Sequence, residues 1–205
     1  IIQELNPAHF VHLSSGAVYA DSNELLNEEE SKIEVGDIYG MTKLINEQMI
    51  SFFSNQNKIT KFSVARMFNI IGPRETNAHI IPEIIEQLKS SDILRLGNIK
   101  PRRDMIYVED AARACILLSN RMNGGNLEIV NVSSGSDISM SEIVEIIKKK
   151  TKRNIVVEID KDRFRKVDKL FQKGDNAKLN KLTGFKIHNS MDTSISKILK
   201  FENIL

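Results

Sequence analysis

This chain of 205 residues has one cysteine, a net charge close to zero and no long apolar run. Its single cysteine, Cys115, can form no disulfide within the chain, which favours a reducing compartment such as the cytoplasm and a packing role for Cys115. Lys and Arg (29) nearly cancel Asp and Glu (27), so the net charge of +2 gives no argument for nucleic acid or membrane binding. No apolar run approaches the roughly 18 residues of a transmembrane helix. These features favour a globular cytoplasmic protein in which any anion site is local.

The chain also begins without a methionine, and its first residues, IIQEL, are typical of the end of a helix. We therefore expect it to be a piece of a longer protein. With 41% hydrophobic residues, the piece is still long enough to bury a core, as one domain or as one domain with a small appendage.

Apolar spacing alternates along the chain between the patterns of strands and helices. Residues 9–14 form a short apolar run typical of a buried strand, whereas residues 39–55 repeat apolar side chains at helical spacing. A capping box at Ser139 and Glu142 marks the beginning of another helix. The other predicted segments are strands within 61–72, 93–96, 103–108, 126–135 and 154–159, helices at 81–89 and 109–122, and two terminal helices. This alternation predicts an α/β protein with a parallel sheet.

A serine, a tyrosine and a lysine occur at a spacing that suits proton transfer. Ser15 follows the first predicted strand, and Tyr39 and Lys43 share one face of the next predicted helix. A nearby ammonium favours the phenolate form of a tyrosine and makes it a usable general base, while a serine hydroxyl can orient the same substrate oxygen. The trio suits removal of a proton from an alcohol while hydride leaves its carbon for a nicotinamide. Taken alone, the spacing is weak evidence, since an exposed tyrosine beside a solvated lysine gives the same pattern.

Several further motifs surround this trio in a fixed order. They are HLSSGAVYA, YGMTKLINEQ, RMFNIIGPR, IIPEII, GNIKPRRDMIYVEDAARA, NVSSG and GDNAKLNKLTGF. From Phe10 to Phe185 they resemble the extended short-chain dehydrogenase/reductase family of nucleotide-sugar epimerases, dehydratases and reductases. The resemblance implies an enzyme that uses NAD or NADP to act on a nucleoside-diphosphate sugar.

The same resemblance implies a Rossmann-like parallel sheet, here without its N-terminal strands, and a smaller C-terminal α/β substrate-binding region. Residues 1–73 and 103–132 would be the remainder of the NAD(P)-binding domain, and residues 74–102 and 133–205 mainly the substrate-binding region. The helix after Tyr39 would pair with that of a second copy in a homodimer, although packing within one copy explains its apolar residues equally well.

The resemblance also implies roles for individual residues. Ser15, Tyr39 and Lys43 would be the catalytic residues, and Ser14 and Phe68 would join Tyr39 and Lys43 on the cofactor side. The residues expected around the nucleotide sugar are Asn69, Arg103 and Arg165 at the diphosphate, Asp168 at the ribose, Ile80 and Leu96 around the nucleotide, and His79 at the border of the substrate.

Simpler explanations remain open for some of these residues. Arg103 could pair with Asp104, and Arg165 with Asp168, as ordinary surface ion pairs. The four histidines show no metal-ligand spacing, so we expect no metal site.

Two departures from the family pattern limit the expected activity. The chain has ten glycines but no glycine-rich phosphate-binding spacing, so about the first hundred residues of such an enzyme are expected to be missing, and NAD binding by this chain alone should be poor. Gly16 and Ala17 stand where the 4,6-dehydratases of the family carry an Asp-Glu pair, which argues against that reaction. We therefore expect an epimerase. The alternatives are a reductase of nucleoside-diphosphate 4-keto-6-deoxysugars, or a catalytically silent nucleotide-sugar-binding fragment if the protein begins at Ile1.

Overall fold

The computed structural model describes residues 2–5, 7–57, 59–76, 79–164 and 170–205. Its helices are α1 (Ile2–Leu5), α2 (Ile38–Gln56), α3 (Ile80–Leu88), α4 (Val108–Ser119), α5 (Met140–Thr151), α6 (Ala177–Thr183) and α7 (Met191–Phe201). Its strands are β1 (His9–Ser15), β2 (Leu25–Leu26), β3 (Lys61–Met67), β4 (Asn69–Ile71), β5 (Ile93–Leu96), β6 (Arg102–Tyr107), β7 (Leu127–Val132), β8 (Asp137–Ser139), β9 (Val156–Ile159) and β10 (Phe171–Gly174). Two 3-10 helices span Gly16–Val18 and Lys161–Arg163. The predicted α/β fold with a parallel sheet is confirmed.

A three-stranded parallel sheet in the order β1-β3-β7 positions the candidate catalytic residues. Because successive side chains of a strand point to opposite faces, Val64 of β3 packs in the apolar cluster with α2, and the neighbouring Ala65 packs in the cluster with α4 and α6. Helices therefore cover both faces of this sheet, and the carboxyl ends of β1 and β3 lie side by side, with Ser15 opposite Met67.

A second sheet joins β2, β10, β6 and β4 in parallel, with β8 antiparallel to β6. Strands β5 and β9 form a separate parallel pair. The largest apolar cluster lies here, between these strands and helices α3, α5 and α7. The capping box predicted for α5 is confirmed, because Ser139 and Glu142 exchange side-chain and backbone hydrogen bonds.

The predicted division into 1–73 with 103–132 and 74–102 with 133–205 stays a prediction. One late segment packs with early ones, since Leu179 of α6 and the following Phe185 belong to the apolar cluster around β3, β7 and α4. Across the described ranges, no helix is long and apolar enough to cross a membrane.

Candidate active site

The first part of the candidate site is the turn that follows β1. Ser15 ends the strand and caps the short 3-10 helix, because its Oγ accepts a hydrogen bond of 3.1 Å from the backbone N–H of Ala17. The beginning of α2 packs closely on this turn, because a Cβ built on Gly40 would lie only 2.7 Å from the carbonyl oxygen of Ala17. Glycine at position 40 therefore allows α2 to begin next to Ser15.

The first two turns of α2 carry the tyrosine and the lysine. Asp37 caps the helix by accepting a hydrogen bond of 2.7 Å from Gly40 N–H. Tyr39 is 54% exposed, and Lys43 Nζ lies 5.6 Å from the centroid of its ring. The same ammonium donates a hydrogen bond of 2.9 Å to the carbonyl oxygen of Leu13. That bond ties Lys43 to β1, so α2 brings Tyr39 and Lys43 to the end of β1 that carries Ser15.

A buried ion pair between α2 and β3, which the sequence analysis does not predict, lies next to this arrangement. Glu47 lies one helical turn beyond Lys43, and its carboxylate accepts hydrogen bonds of 3.0 and 2.7 Å from Arg66 of β3. Ser14 Oγ donates a third hydrogen bond, of 2.5 Å, to the same carboxylate. Ser14 is 2% exposed, so its hydroxyl serves the ion pair rather than the surface, and its expected place beneath a nicotinamide stays a prediction.

The ion pair extends into a larger polar network. The guanidinium of Arg66 lies 4.8 Å from the ring centroid of Tyr19, whose hydroxyl donates a hydrogen bond of 2.8 Å to Asn131 Oδ1 on β7. Burial disfavours the charge of Arg66, but hydrogen bonds and attraction from Glu47 and Tyr19 raise the pKa of Arg66 above its ordinary value. The network thus joins α2 to the ends of β1, β3 and β7.

A second group of polar side chains lies where β6 is flanked by β4 on one side and β10 on the other. Asn69 Nδ2 donates hydrogen bonds of 2.9 Å to the carbonyl oxygen of Asp104 and 3.2 Å to Gln172 Oε1. Gln172 Nε2 in turn lies 3.4 Å from the carbonyl oxygen of Gly16, beside Ser15. Gln172 was missed by the sequence reasoning, yet it connects the Ser15 turn to Asn69. Because both Nδ2 hydrogens of Asn69 are used within the chain, its expected contact with a diphosphate stays a prediction.

The other predicted site residues lie at different depths. Phe68 is 5% exposed and packs beneath Gly16 and Gly174. Arg103 is half-buried on β6, and its Nη1 donates a hydrogen bond of 3.0 Å to the carbonyl oxygen of Arg102.

Around α3, the structure separates the predicted residues further. His79 precedes α3, is largely exposed and pairs with Glu75, while Ile80 is half-buried at the first position of the helix. Leu96 has no exposed surface and lies within the largest apolar cluster, so the structure does not bring it to the candidate site. Arg165 and Asp168 lie outside the described residues. Their roles, like those of His79 and Ile80, stay predictions.

A metal centre finds no support in the described ranges, where no group of three or more His, Cys, Asp or Glu side chains could hold an ion. The site contains a hydroxyl, a phenol and an ammonium at the carboxyl end of a parallel strand. Ligands bind at this edge of open α/β sheets.

The profile of the NAD dependent epimerase/dehydratase family matches residues 1–133, about two thirds of the chain. The chain belongs to this family.

Among its curated relatives is a putative UDP-glucose 4-epimerase of Methanocaldococcus jannaschii, 32% identical over 139 residues that cover 66% of this chain and 44% of the relative. Another is the GDP-6-deoxy-D-mannose reductase of Pseudomonas aeruginosa, 27% identical over 201 residues that cover 93% of this chain and 64% of the relative. The chain thus spans about half to two thirds of the length of these two proteins.

Two solved structures illustrate the similarity of the fold. RMD from Pseudomonas aeruginosa, complexed with NADPH, has a TM-score of 0.85 at 25% identity, over 96% of this chain and 67% of that one. MoeE5, in complex with UDP-glucuronic acid and NAD, has a TM-score of 0.87 over 98% of this chain and 67% of that one. At 20% identity, the second comparison shows the fold alone.

Proposed function

We propose that the complete protein is an NAD(P)-dependent epimerase of nucleoside-diphosphate sugars. The observation that carries the proposal is the meeting of Ser15, Tyr39 and Lys43 at the carboxyl end of β1, with Lys43 Nζ bonded to that strand. A hydroxyl, a phenol and an ammonium suit removal of a proton from an alcohol without a metal ion. Family membership supports the choice of a nucleotide sugar as the substrate class.

Each residue has a distinct task in this proposal. Tyr39 takes the proton of the sugar hydroxyl during oxidation and returns it during reduction. Ser15 donates a hydrogen bond to the same oxygen and fixes its position. Lys43 holds an ammonium beside the ring of Tyr39, and its N–H donors not engaged with Leu13 suit the hydroxyls of a cofactor ribose.

The donor set fits the nicotinamide and ribose end of NAD(P), since these hydroxyl and ammonium groups match ribose hydroxyls. When bound, the cofactor would accept hydride from the sugar carbon and give it back. The phosphate end finds no counterpart in this chain, where no glycine-rich phosphate-binding spacing occurs. We propose that the further length of the complete protein supplies that part.

A reductase of nucleoside-diphosphate 4-keto-6-deoxysugars is the second candidate. Its support is the alignment with the Pseudomonas reductase, which covers 93% of the chain, against 66% for the epimerase. The same Ser15, Tyr39 and Lys43 would serve, with Tyr39 giving a proton to the ketone oxygen as hydride reaches the carbon.

Cofactor balance distinguishes the two reactions. An epimerase returns the hydride and consumes no cofactor, whereas a reductase oxidises one NAD(P)H for each sugar reduced. The test is incubation of the complete protein with nucleoside-diphosphate hexoses or their 4-keto-6-deoxy forms, with NAD(P)H absorbance and sugar stereochemistry followed together. Epimer formation at constant cofactor supports the epimerase, and stoichiometric NAD(P)H loss supports the reductase. If no such sugar gives either epimer formation or NAD(P)H loss, both candidates are contradicted.

The diphosphate is proposed to bind near Arg103 and Asn69, with Arg165 as a further candidate. Each arginine offers a planar fork of N–H donors that suits a phosphate.

A homodimer through α2 is also proposed. Ile45, Met49 and Phe52 are each about half exposed on this helix. Together with Gln48 and Phe53 they line a shallow depression of about 430 Å³. Exposed apolar patches of this kind mark interfaces, so Met49→Lys should shift the complete protein from dimer to monomer in light scattering. An unchanged mass would contradict the pairing.

A further inference from the structure

The carboxylate of Asp104 is buried close to the proposed substrate site but has no task in the proposed chemistry. Asp104 lies on β6 with no exposed surface. Its Oδ1 accepts hydrogen bonds of 2.7 Å from both the N–H and the hydroxyl of Ser134. Its Oδ2 accepts hydrogen bonds of 3.0 Å from Gly135 N–H and 3.2 Å from Gly174 N–H. Four donors on one buried carboxylate make it the centre of a local network.

The four donors come from two segments that are distant in sequence. Ser134 and Gly135 belong to the turn after β7, and Gly174 ends β10. One carboxylate therefore connects β6, β10 and the end of the sheet that carries Ser15. The packing at this point leaves little freedom, because a Cβ on Gly174 would lie 2.6 Å from the ring of Phe68.

The connected segments also hold the residues that we assign to the substrate. Arg103 is the neighbour of Asp104 on β6, and Asn69 donates a hydrogen bond to the Asp104 carbonyl oxygen. Gln172, which bonds to Asn69 and approaches Gly16, lies two residues before Gly174 on β10. The position of each relative to Ser15 thus depends on how β6 and β10 sit against the turn after β7.

We propose that Asp104 is a positioning residue for the nucleotide-sugar site, fixing Arg103, Asn69 and Gln172 relative to the Ser15 turn. The inference rests on the proposed function for its substrate class. A residue that only filled space would not need a charge, since a buried carboxylate is costly unless donors surround it. The four hydrogen bonds meet that condition and set the direction of each connected segment.

Asparagine at position 104 gives a selective perturbation. Its amide keeps the shape of the side chain and one oxygen, which can still accept both hydrogen bonds from Ser134. The NH₂ group would then face the N–H donors of Gly135 and Gly174, which can no longer be satisfied. Asp104→Asn should therefore loosen β10 from β6 while the chemical groups at β1 and α2 stay unchanged.

Asp110 provides a matched control on α4. It is 1% exposed, and its carboxylate accepts hydrogen bonds from the backbone N–H groups of His188 and Asn189 and pairs with Arg113. Asp110→Asn disrupts an equally buried carboxylate network that holds none of the proposed substrate residues. It should lower thermal stability without a change in substrate binding.

The experiment uses the complete protein and the nucleoside-diphosphate sugar that the parent binds or converts. We expect Asp104→Asn to raise the KM and Kd for that sugar by about tenfold or more, with kcat within about threefold, which corresponds to at least about 1.4 kcal/mol of binding. Asp110→Asn should leave Kd within about twofold. If Asp104→Asn fails to fold, Ser134→Ala removes one donor and should raise Kd by about two- to fivefold.

A parental Kd in Asp104→Asn, or in Ser134→Ala where that variant replaces it, would overturn the inference. So would an equal rise in Kd for Asp104→Asn and Asp110→Asn, because the effect would then follow stability rather than position. A parent that binds no nucleoside-diphosphate sugar would overturn the proposed function itself. Binding by the parent tests the proposed function, whereas the comparison of the variants with the parent tests the role of Asp104, so the two failures are distinguishable.

Discussion

The ion pair between Glu47 and Arg66 should be among the most sensitive points of the chain. The two side chains are 4% and 5% exposed, and they share two hydrogen bonds. Glu47→Ala leaves the guanidinium of Arg66 buried without its counter-charge and removes the acceptor of the Ser14 hydroxyl. Breaking a buried pair from one side costs about 3 to 5 kcal/mol. We therefore expect the free energy of unfolding to fall by about that amount in Glu47→Ala.

A double variant distinguishes the loss of charge balance from the loss of packing. In Glu47→Met with Arg66→Met, apolar side chains of similar length replace both charges, and buried pairs exchanged in this way are often neutral or stabilising. We expect the double variant to recover most of the stability lost by Glu47→Ala. Turnover should be low in both variants, because Ser14 loses its partner and α2 loses its polar link to β3.

Urea unfolding followed by circular dichroism measures these differences, with Glu145→Ala as the control. Glu145 pairs with Lys148 on the surface of α5, at 2.8 Å and with 69% of the glutamate side chain exposed. Exposed pairs contribute little, so this variant should unfold like the parent. A loss below about 1 kcal/mol in Glu47→Ala would refute the reasoning, since it would mean that water or another group compensates Arg66.

Three further predictions concern the same region. Gly40→Ala should lower turnover and reduce the free energy of unfolding by about 1 to 3 kcal/mol, because its Cβ would lie 2.7 Å from the Ala17 carbonyl oxygen. Gly36→Ala is the matched control in thermal melts, since a Cβ at Gly36 would meet nothing within 4 Å. Arg103→Ala should weaken binding of a nucleoside-diphosphate sugar by about tenfold to a hundredfold in calorimetry while hardly affecting the free sugar; equal losses for both would contradict a phosphate role. Burial raises the pKa of Asp104 from 3.8 to about 6, although its four hydrogen bonds act to lower that pKa. Between pH 3.8 and about pH 6 the folded state therefore binds more protons than the unfolded state, and the free energy of unfolding falls as the pH rises. Relative to Asp104→Asn, the parent should lose up to about 3 kcal/mol between pH 4 and pH 7, and a pH-independent difference in urea unfolding would contradict the burial effect.

The candidate site was predictable where its residues lie within one element or next to it. Tyr39 and Lys43 are one helical turn apart, and Ser15 ends a strand that its apolar run predicts. Glu47 carries a signal of the same kind, since it follows Lys43 by four residues and must share its helix face. Gln172 could not be found in this way, because its place beside Asn69 depends on the pairing of β10 with β6.

In the fold too, elements defined by local sequence patterns were predictable and those defined by tertiary pairing were not. A long periodic segment such as α2, expected at 39–55 and found at Ile38–Gln56, is predicted nearly to its ends, because apolar spacing and caps are local properties. Strands β2, β8 and β10 have two to four residues and were not predicted, since so few residues carry no period. Their hydrogen-bond partners lie far away in sequence, and tertiary pairing alone defines them.

The role of Tyr39 as the general base is the central claim, and the Tyr39→Phe variant of the complete protein tests it most directly. The change removes one hydroxyl from a half-exposed side chain and leaves the Lys43 and Ser15 contacts in place. Turnover of the nucleoside-diphosphate sugar should fall by at least about two orders of magnitude, with Kd within a few-fold. Tyr107→Phe, at a buried tyrosine on β6, should retain parental turnover. Near-parental turnover in Tyr39→Phe would contradict the account.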